Sequence, residues 1–282
     1  MTPREPRTTQ DDLGTSRTWG TGPEVVFLSN PLADPVAWSA GVREELLALG
    51  YQVTTFVHRP DSLDWRSVVA CVGDFVRRRP EPVALVGWSQ GAAIAQEVAL
   101  AVGARVRAAV LLATYGRQNE IDKLLQASWD HLVDGGSDDL RAAMRLLTSF
   151  PPERLADDGF VRALTSQEGW AEKADPEARR RAGTFIATYQ QRLEALRQVV
   201  QPCLVMGFEL DTDTFAARAR EVAAAIPGAE YHEVPDVGHA APISDPEAVW
   251  PSVVRFLERQ LPLRPFGTNE ERRSTSGPVP PG

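Results

Sequence analysis

Short apolar runs return along this chain at Val25-Val26-Phe27-Leu28, Val83-Ala84-Leu85-Val86, Ala108 to Ala113 and Cys203-Leu204-Val205-Met206. Such runs are too short for buried helices and lack the alternation of a half-exposed strand, so they predict strands covered on both faces. Gln52 to Val57 and Glu230 to Val234 extend the strand series. Helical periodicity fills the gaps. Trp38, Val42, Leu46 and Leu49 share one face before Gly50, and Trp65, Val68, Val69, Val72, Phe75 and Val76 share another before Arg77-Arg78-Arg79-Pro80. A further helix carries Phe215, Ala219, Val222 and Ile226, and a last one ends near Leu261 with Pro251 complicating its start. This alternation predicts an α/β fold with a mostly parallel central sheet flanked by helices.

The alternation breaks between Arg117 and Arg197, which holds amphipathic helical patterns and no convincing strand. Residues 117–197 are therefore expected to form a helical cap inserted between two core segments, 17–116 and 198–263. Residues 1–16 and 264–282 lack periodicity and read as disordered tails. The net charge of -8 and pI near 5.2 argue against nucleic acid as a partner. Cys71 and Cys203 sit in apolar runs, which favours core thiols over a disulfide framework. The opening residues carry no signal-peptide core and no run approaches the ~20 residues of a bilayer span, so a cytoplasmic protein without a membrane partner is expected.

Gly87-Trp88-Ser89-Gln90-Gly91 is a G-x-S-x-G pentapeptide between a buried strand and an alanine-rich helix, the context of a nucleophile elbow. A serine hydroxyl needs a base to take its proton, and the base needs an acid. His239 follows the last strand and Asp211 follows Cys203 to Met206, which puts both in loops at the carboxyl end of the sheet. Asp213 competes with Asp211 as the acid, although a carboxylate near the helix carrying Phe215 also suits the helix dipole. His131 and His232 read as structural. His58 ends a strand as a pocket-wall or surface residue. Trp88, Pro31 and Trp129 are further candidates for the substrate wall. Trp129, Phe150, Phe160, Trp170, Phe185 and Tyr189 could line an acyl pocket or fill the cap's own core.

Through Val83 to Gly91, Gly207-Phe208-Glu209-Leu210-Asp211 and Val237-Gly238-His239, the chain resembles the α/β-hydrolase superfamily over about Glu24 to Leu261. The resemblance is to its capped bacterial, actinomycete-type serine hydrolases. It implies an eight-stranded type of sheet, a helical lid and a Ser89, Asp211 and His239 triad. Where many members have His-Gly and then an oxyanion donor, this chain has Ser29-Asn30-Pro31-Leu32. Proline has no N–H, so the backbone of Gln90 is expected to give one donor and Leu32 N–H or the Asn30 amide the other. The loop Arg59-Pro60-Asp61-Ser62 is shorter than in relatives and alters one pocket wall. The expected activity is hydrolysis of an ester or thioester through an acyl-enzyme on a small-molecule acyl substrate. Acyl transfer from an acyl carrier protein or other thioester is the alternative, and a lyase, cyclase or binding role stands behind both. No metal or cofactor is implied.

Overall fold

The apolar runs become strands because each has side chains on both faces that only a layer of helices can cover. In the computed structural model, which describes residues 5–29, 35–166 and 183–263, eight strands form one sheet in the order β1-β2-β4-β3-β5-β6-β7-β8. They are β1 (Arg7–Gln10), β2 (Gly14–Trp19), β3 (Glu24–Leu28), β4 (Gln52–His58), β5 (Val83–Trp88), β6 (Val106–Leu112), β7 (Cys203–Phe208) and β8 (Glu230–Val234). From β4 to β8 every neighbour is parallel, whereas β2 is antiparallel to β1 and β4.

The helices are α1 (Pro35–Trp38), α2 (Ala40–Leu49), α3 (Trp65–Arg77) and α4 (Gln90–Val102) in the first half of the chain. Between β6 and β7 come α5 (Glu120–Gly135), α6 (Asp138–Ser149), α7 (Pro152–Leu155), α8 (Asp158–Thr165), α9 (183–188) and α10 (Leu193–Leu196). The last three are α11 (Ala216–Ala225), α12 (Ala241–Ser244) and α13 (Pro246–Gln260). Strand alternation sorts the core into two layers. Val25, Phe27, Val53, Val86 and Val110 pack with Val42 and Leu46 of α2 and Val253 and Leu257 of α13. Val26, Leu28, Phe56, Leu85 and Leu111 pack on the opposite face with α3, α4 and Val222 of α11. Each such side chain contributes about 1.5–3 kcal/mol on burial. No described helix is long and apolar enough to cross a membrane.

The local signals fail in identifiable places. Residues 7–16, expected within a disordered tail, instead form most of the β1–β2 hairpin, which runs on to Trp19. Between buried Leu13 and Trp19 its buried side chains, Ser16 and Thr18, are small and polar, so no apolar period marks it. Thr18 Oγ1 lies 3.0 Å from Thr54 Oγ1, and Thr54 donates to Glu24 at 2.6 Å. Arg79 adds an ion pair to Glu24 at 3.0 Å, which leaves the buried carboxylate well satisfied. Ser39 separates Trp38 from α2, while Gly50 closes α2 at φ 97° with its N–H directed to Leu46 and Leu47 carbonyls. Helix α13 runs through Pro251 and begins at Pro246, a first-turn position that needs no donor. The C-terminal tail expected at 264–282 lies outside the described residues.

Helix α4 is tied to the end of the inserted helical stretch by buried polar contacts. Glu97, 2% exposed, accepts from Arg192 at 3.0 and 2.8 Å and from the Tyr189 hydroxyl at 2.9 Å. Gln96 donates to Tyr189 Oη at 2.7 Å and to the Tyr115 carbonyl at 2.8 Å, while Thr114 donates back to Gln96 at 2.9 Å. Arg192 also lies over the Trp65 ring, 4.4 Å from its centroid. Removing one member of a buried pair strands the other's charge, which costs about 3–5 kcal/mol. Arg192→Ala is therefore expected to lower unfolding free energy in urea by about 3 kcal/mol. The double variant Arg192→Ala, Glu97→Gln should recover part of that loss. Equal loss in both would mean that the stranded charge is not the cause.

Candidate active site

The carboxyl ends of β5, β7 and β8 deliver three polar residues to one edge of the sheet. After β5 the chain reverses at Ser89, which has φ 56° and directs its backbone N–H to the Leu112 carbonyl at 2.8 Å. The left-handed conformation is costly for a serine and is held by tight packing on both sides. A Cβ at Gly87 would collide with the Gly91 carbonyl, and a Cβ at Gly91 would collide with that of Leu28. The two glycines thus let α4 start directly against β3 with Ser89 at its N-terminus. Gln90, the first residue of α4, is buried.

Asp211 follows β7 with its side chain 1% exposed. Its Oδ1 accepts from the N–H groups of Asp213 and Thr214, both at 2.8 Å, and its Oδ2 lies 2.8 Å from His239 Nδ1. The loop after β8 supplies His239, whose carbonyl accepts from Trp88 Nε1 at 3.1 Å. The Trp88 ring stands 5.5 Å from the imidazole. On the other side of the ring, His239 Nε2 lies 3.4 Å from Asp213 Oδ2. Burial opposes charge on the imidazole, but Asp211 and Asp213 outweigh it and raise the His239 pKa to about 9. Burial also raises the Asp213 carboxyl, with His239 pulling it the other way. Asp213 does not cap the following helix, whose N-cap is Phe215. The two backbone bonds to Asp211 turn this segment back toward the imidazole instead.

A cavity of about 770 Å³ opens onto these residues, with Ser29, Trp88, Ser89, Gln90, Asp213 and His239 on its floor. The inserted helices cover it with Leu125, Trp129, Val133, Phe150, Phe160, Leu164 and Ile186. Among the expected pocket aromatics, Trp129, Phe150 and Phe160 line the cavity, and the last two rings meet edge-on at 5.2 Å. Phe185 and Tyr189 are instead fully buried against α3 and α4, and Trp170 lies outside the described residues.

The remaining candidates divide. Asn30, Pro31 and Leu32 lie outside the described residues. His58 is buried and absent from the cavity lining, because β4 is separated from β5 by β3. Burial lowers its pKa to about 4, and neither ring nitrogen has a partner among the described residues. It is therefore neither pocket wall nor surface.

Sequence reasoning missed a polar corner beside His239. Tyr115, after β6, lines the cavity with a buried hydroxyl that has no partner among the described residues, and burial raises its pKa. Asp122 closes a capping box with Asn119, while Arg218 lies 3.8 Å from Asp122 and 3.1 Å from Glu221. The D-x-D spacing of Asp211 and Asp213 was the one available signal for this corner. Tyr115 and Arg218 carry none.

The sequence profile of the alpha/beta hydrolase family matches residues 11–251. A Mycobacterium tuberculosis protein provisionally named non-heme bromoperoxidase BpoC is 32% identical over 254 residues, covering 84% of this chain and 95% of its own. The structure of Rv0554 from Mycobacterium tuberculosis superposes with a TM-score of 0.79 at 29% identity, over 91% of this chain and 99% of that one. Pyrrolizixenacetamide deacetylase of Xenorhabdus hominickii is 29% identical over 179 residues, which are 60% of this chain and 63% of its own. With its eight-stranded, mostly parallel sheet and a match spanning most of its length, the chain belongs to the alpha/beta hydrolase family.

Proposed function

We propose that this protein is a serine hydrolase that cleaves an ester or thioester through an acyl-enzyme on Ser89, with His239 as base and Asp211 as its acid. The observation that carries this reading is the 2.8 Å contact between Asp211 and His239 Nδ1 beside the left-handed turn at Ser89. Asp211 fixes the ring so that Nε2 is the nitrogen available to Ser89. Oγ attacks the acyl carbon as its proton passes to Nε2. The tetrahedral intermediate then breaks its bond to the leaving group, which departs with that proton. Water repeats the sequence, giving up a proton to Nε2 and releasing the acid as Ser89 Oγ recovers its proton. The oxyanion falls to the Gln90 N–H at the start of α4, with Asn30 or Leu32 proposed for the second donor.

The cavity volume is in the range of small-molecule pockets, and its aromatic and aliphatic roof suits an apolar acyl chain. A deacetylase among the relatives supports acyl cleavage. The relative named as a bromoperoxidase favours a second reading, acyl transfer. Hydrogen peroxide could replace water at the acyl-enzyme, leaving Ser89 free and a peracid able to oxidise bromide. A carrier-protein thioester as donor would be a further form of transfer.

Two outcomes follow. Ser89→Ala should reduce turnover of activated esters and thioesters by about 10⁴-fold or more. A folded Ser89→Ala protein with undiminished turnover would refute the acyl-enzyme. Because the base must be neutral and the His239 pKa is raised to about 9, kcat/KM should climb with pH through that region. Asp213→Asn removes one charge that stabilises the imidazolium and should move the climb to lower pH. An unchanged pH profile would mean that Asp213 does not act on the imidazole.

A further inference from the structure

We propose that Asp213 is a specificity-determining residue that selects substrates whose leaving alcohol or amine carries an ammonium group. The inference deepens the acyl-enzyme reading and rests on it. In that reaction the leaving atom takes its proton from His239 Nε2 and so comes within about 3 Å of that nitrogen. Asp213 Oδ2 stands 3.4 Å from the same nitrogen. Its carboxylate is thus within roughly 6 Å of the leaving atom, whatever the acyl group.

The surroundings favour a cation there. The Asp213 side chain is 35% exposed and lines the cavity, so a ligand can reach it. Among the described residues, its only side-chain partner is His239. The cavity wall carries two further carboxylates, Asp122 and Asp130, against the guanidiniums of Arg145 and Arg218. Arg218 already faces Glu221 at 3.1 Å and Asp122 at 3.8 Å, which cancels most of its attraction for an anion. Trp88 and Tyr115 add aromatic rings to the cavity lining, a residue type that attracts ammonium groups. An anionic leaving group would meet Asp213 at short range, with only the transient imidazolium of His239 to offset it among the described residues, and that charge is already shared between Asp211 and Asp213.

The test compares butyrate esters of three alcohols of similar size: choline, neutral 3,3-dimethylbutanol and anionic 2-hydroxyethanesulfonate. Values of kcat/KM are taken on the high-pH plateau, where His239 protonation does not enter. The wild-type protein should prefer the choline ester to the sulfonate by about tenfold or more, allowing for partial exposure of Asp213. Asp213→Asn should remove most of that ratio, and Asp213→Glu should restore it. A ratio near one in the wild type, or the same ratio in Asp213→Asn, overturns the proposal. Fluorophosphonate labelling of the wild type separates the two readings. A Ser89 adduct with an unchanged ratio sinks only the role of Asp213, whereas no adduct and no ester turnover sinks the acyl-enzyme and the selectivity together.

Discussion

The close approach of α4 to β3 sets the rest of the candidate site. Gly91 leaves room for the Leu28 carbonyl and Gly87 for the Gly91 carbonyl, so the chain can reverse within one residue. That residue, Ser89, takes the positive φ. A side chain at either glycine would push α4 away from the sheet and lower Ser89 from the edge where β7 and β8 bring their loops. The buried strands on both sides resist such movement, because α4 packs Ile94 and Val98 into the same core face as Val26 and Leu28. Glu97, one turn along, extends the constraint to Arg192 and Tyr189, so the return of the inserted helices is anchored on the same helix.

Electrostatics at the sheet edge are organised by one carboxylate with two duties. Asp211 Oδ1 gathers the backbone N–H groups of Asp213 and Thr214, while Oδ2 faces His239. The first duty shapes the loop and the second aims the imidazole. Their combination carries Asp213 to the opposite ring nitrogen. A histidine between two carboxylates holds its proton more firmly than one with a single acid, as the raised pKa of about 9 expresses. The same arrangement would favour the imidazolium of the proposed acyl-enzyme reaction.

The sheet was legible because its central strands are apolar on both faces, and the elbow because glycines at both flanks of a serine follow one of those strands. Asp211 and His239 could be placed by strand order alone, and the structure brings them together at one edge. The β1–β2 hairpin escaped notice because small polar Ser16 and Thr18, the latter paired with Thr54, fill the buried positions between Leu13 and Trp19, which leaves no hydrophobic period. Asp213 was visible as a carboxylate two residues from Asp211, but a turn held by two backbone hydrogen bonds, not helix propensity, decides where it points. The Glu97–Arg192 pair joins residues 95 apart in sequence, a relation that local patterns do not carry. His58 misled because ending a strand at the carboxyl edge is not enough when another strand stands between it and the cavity.

The central claim is that Ser89 is a nucleophile activated by His239. The most direct measurement is intact-mass analysis with peptide mapping after exposure to a fluorophosphonate, on the wild type and on His239→Gln. The account predicts one adduct per chain, on Ser89, forming far more slowly when His239 is replaced. A folded protein that forms no adduct, or one that labels equally well without His239, would contradict it.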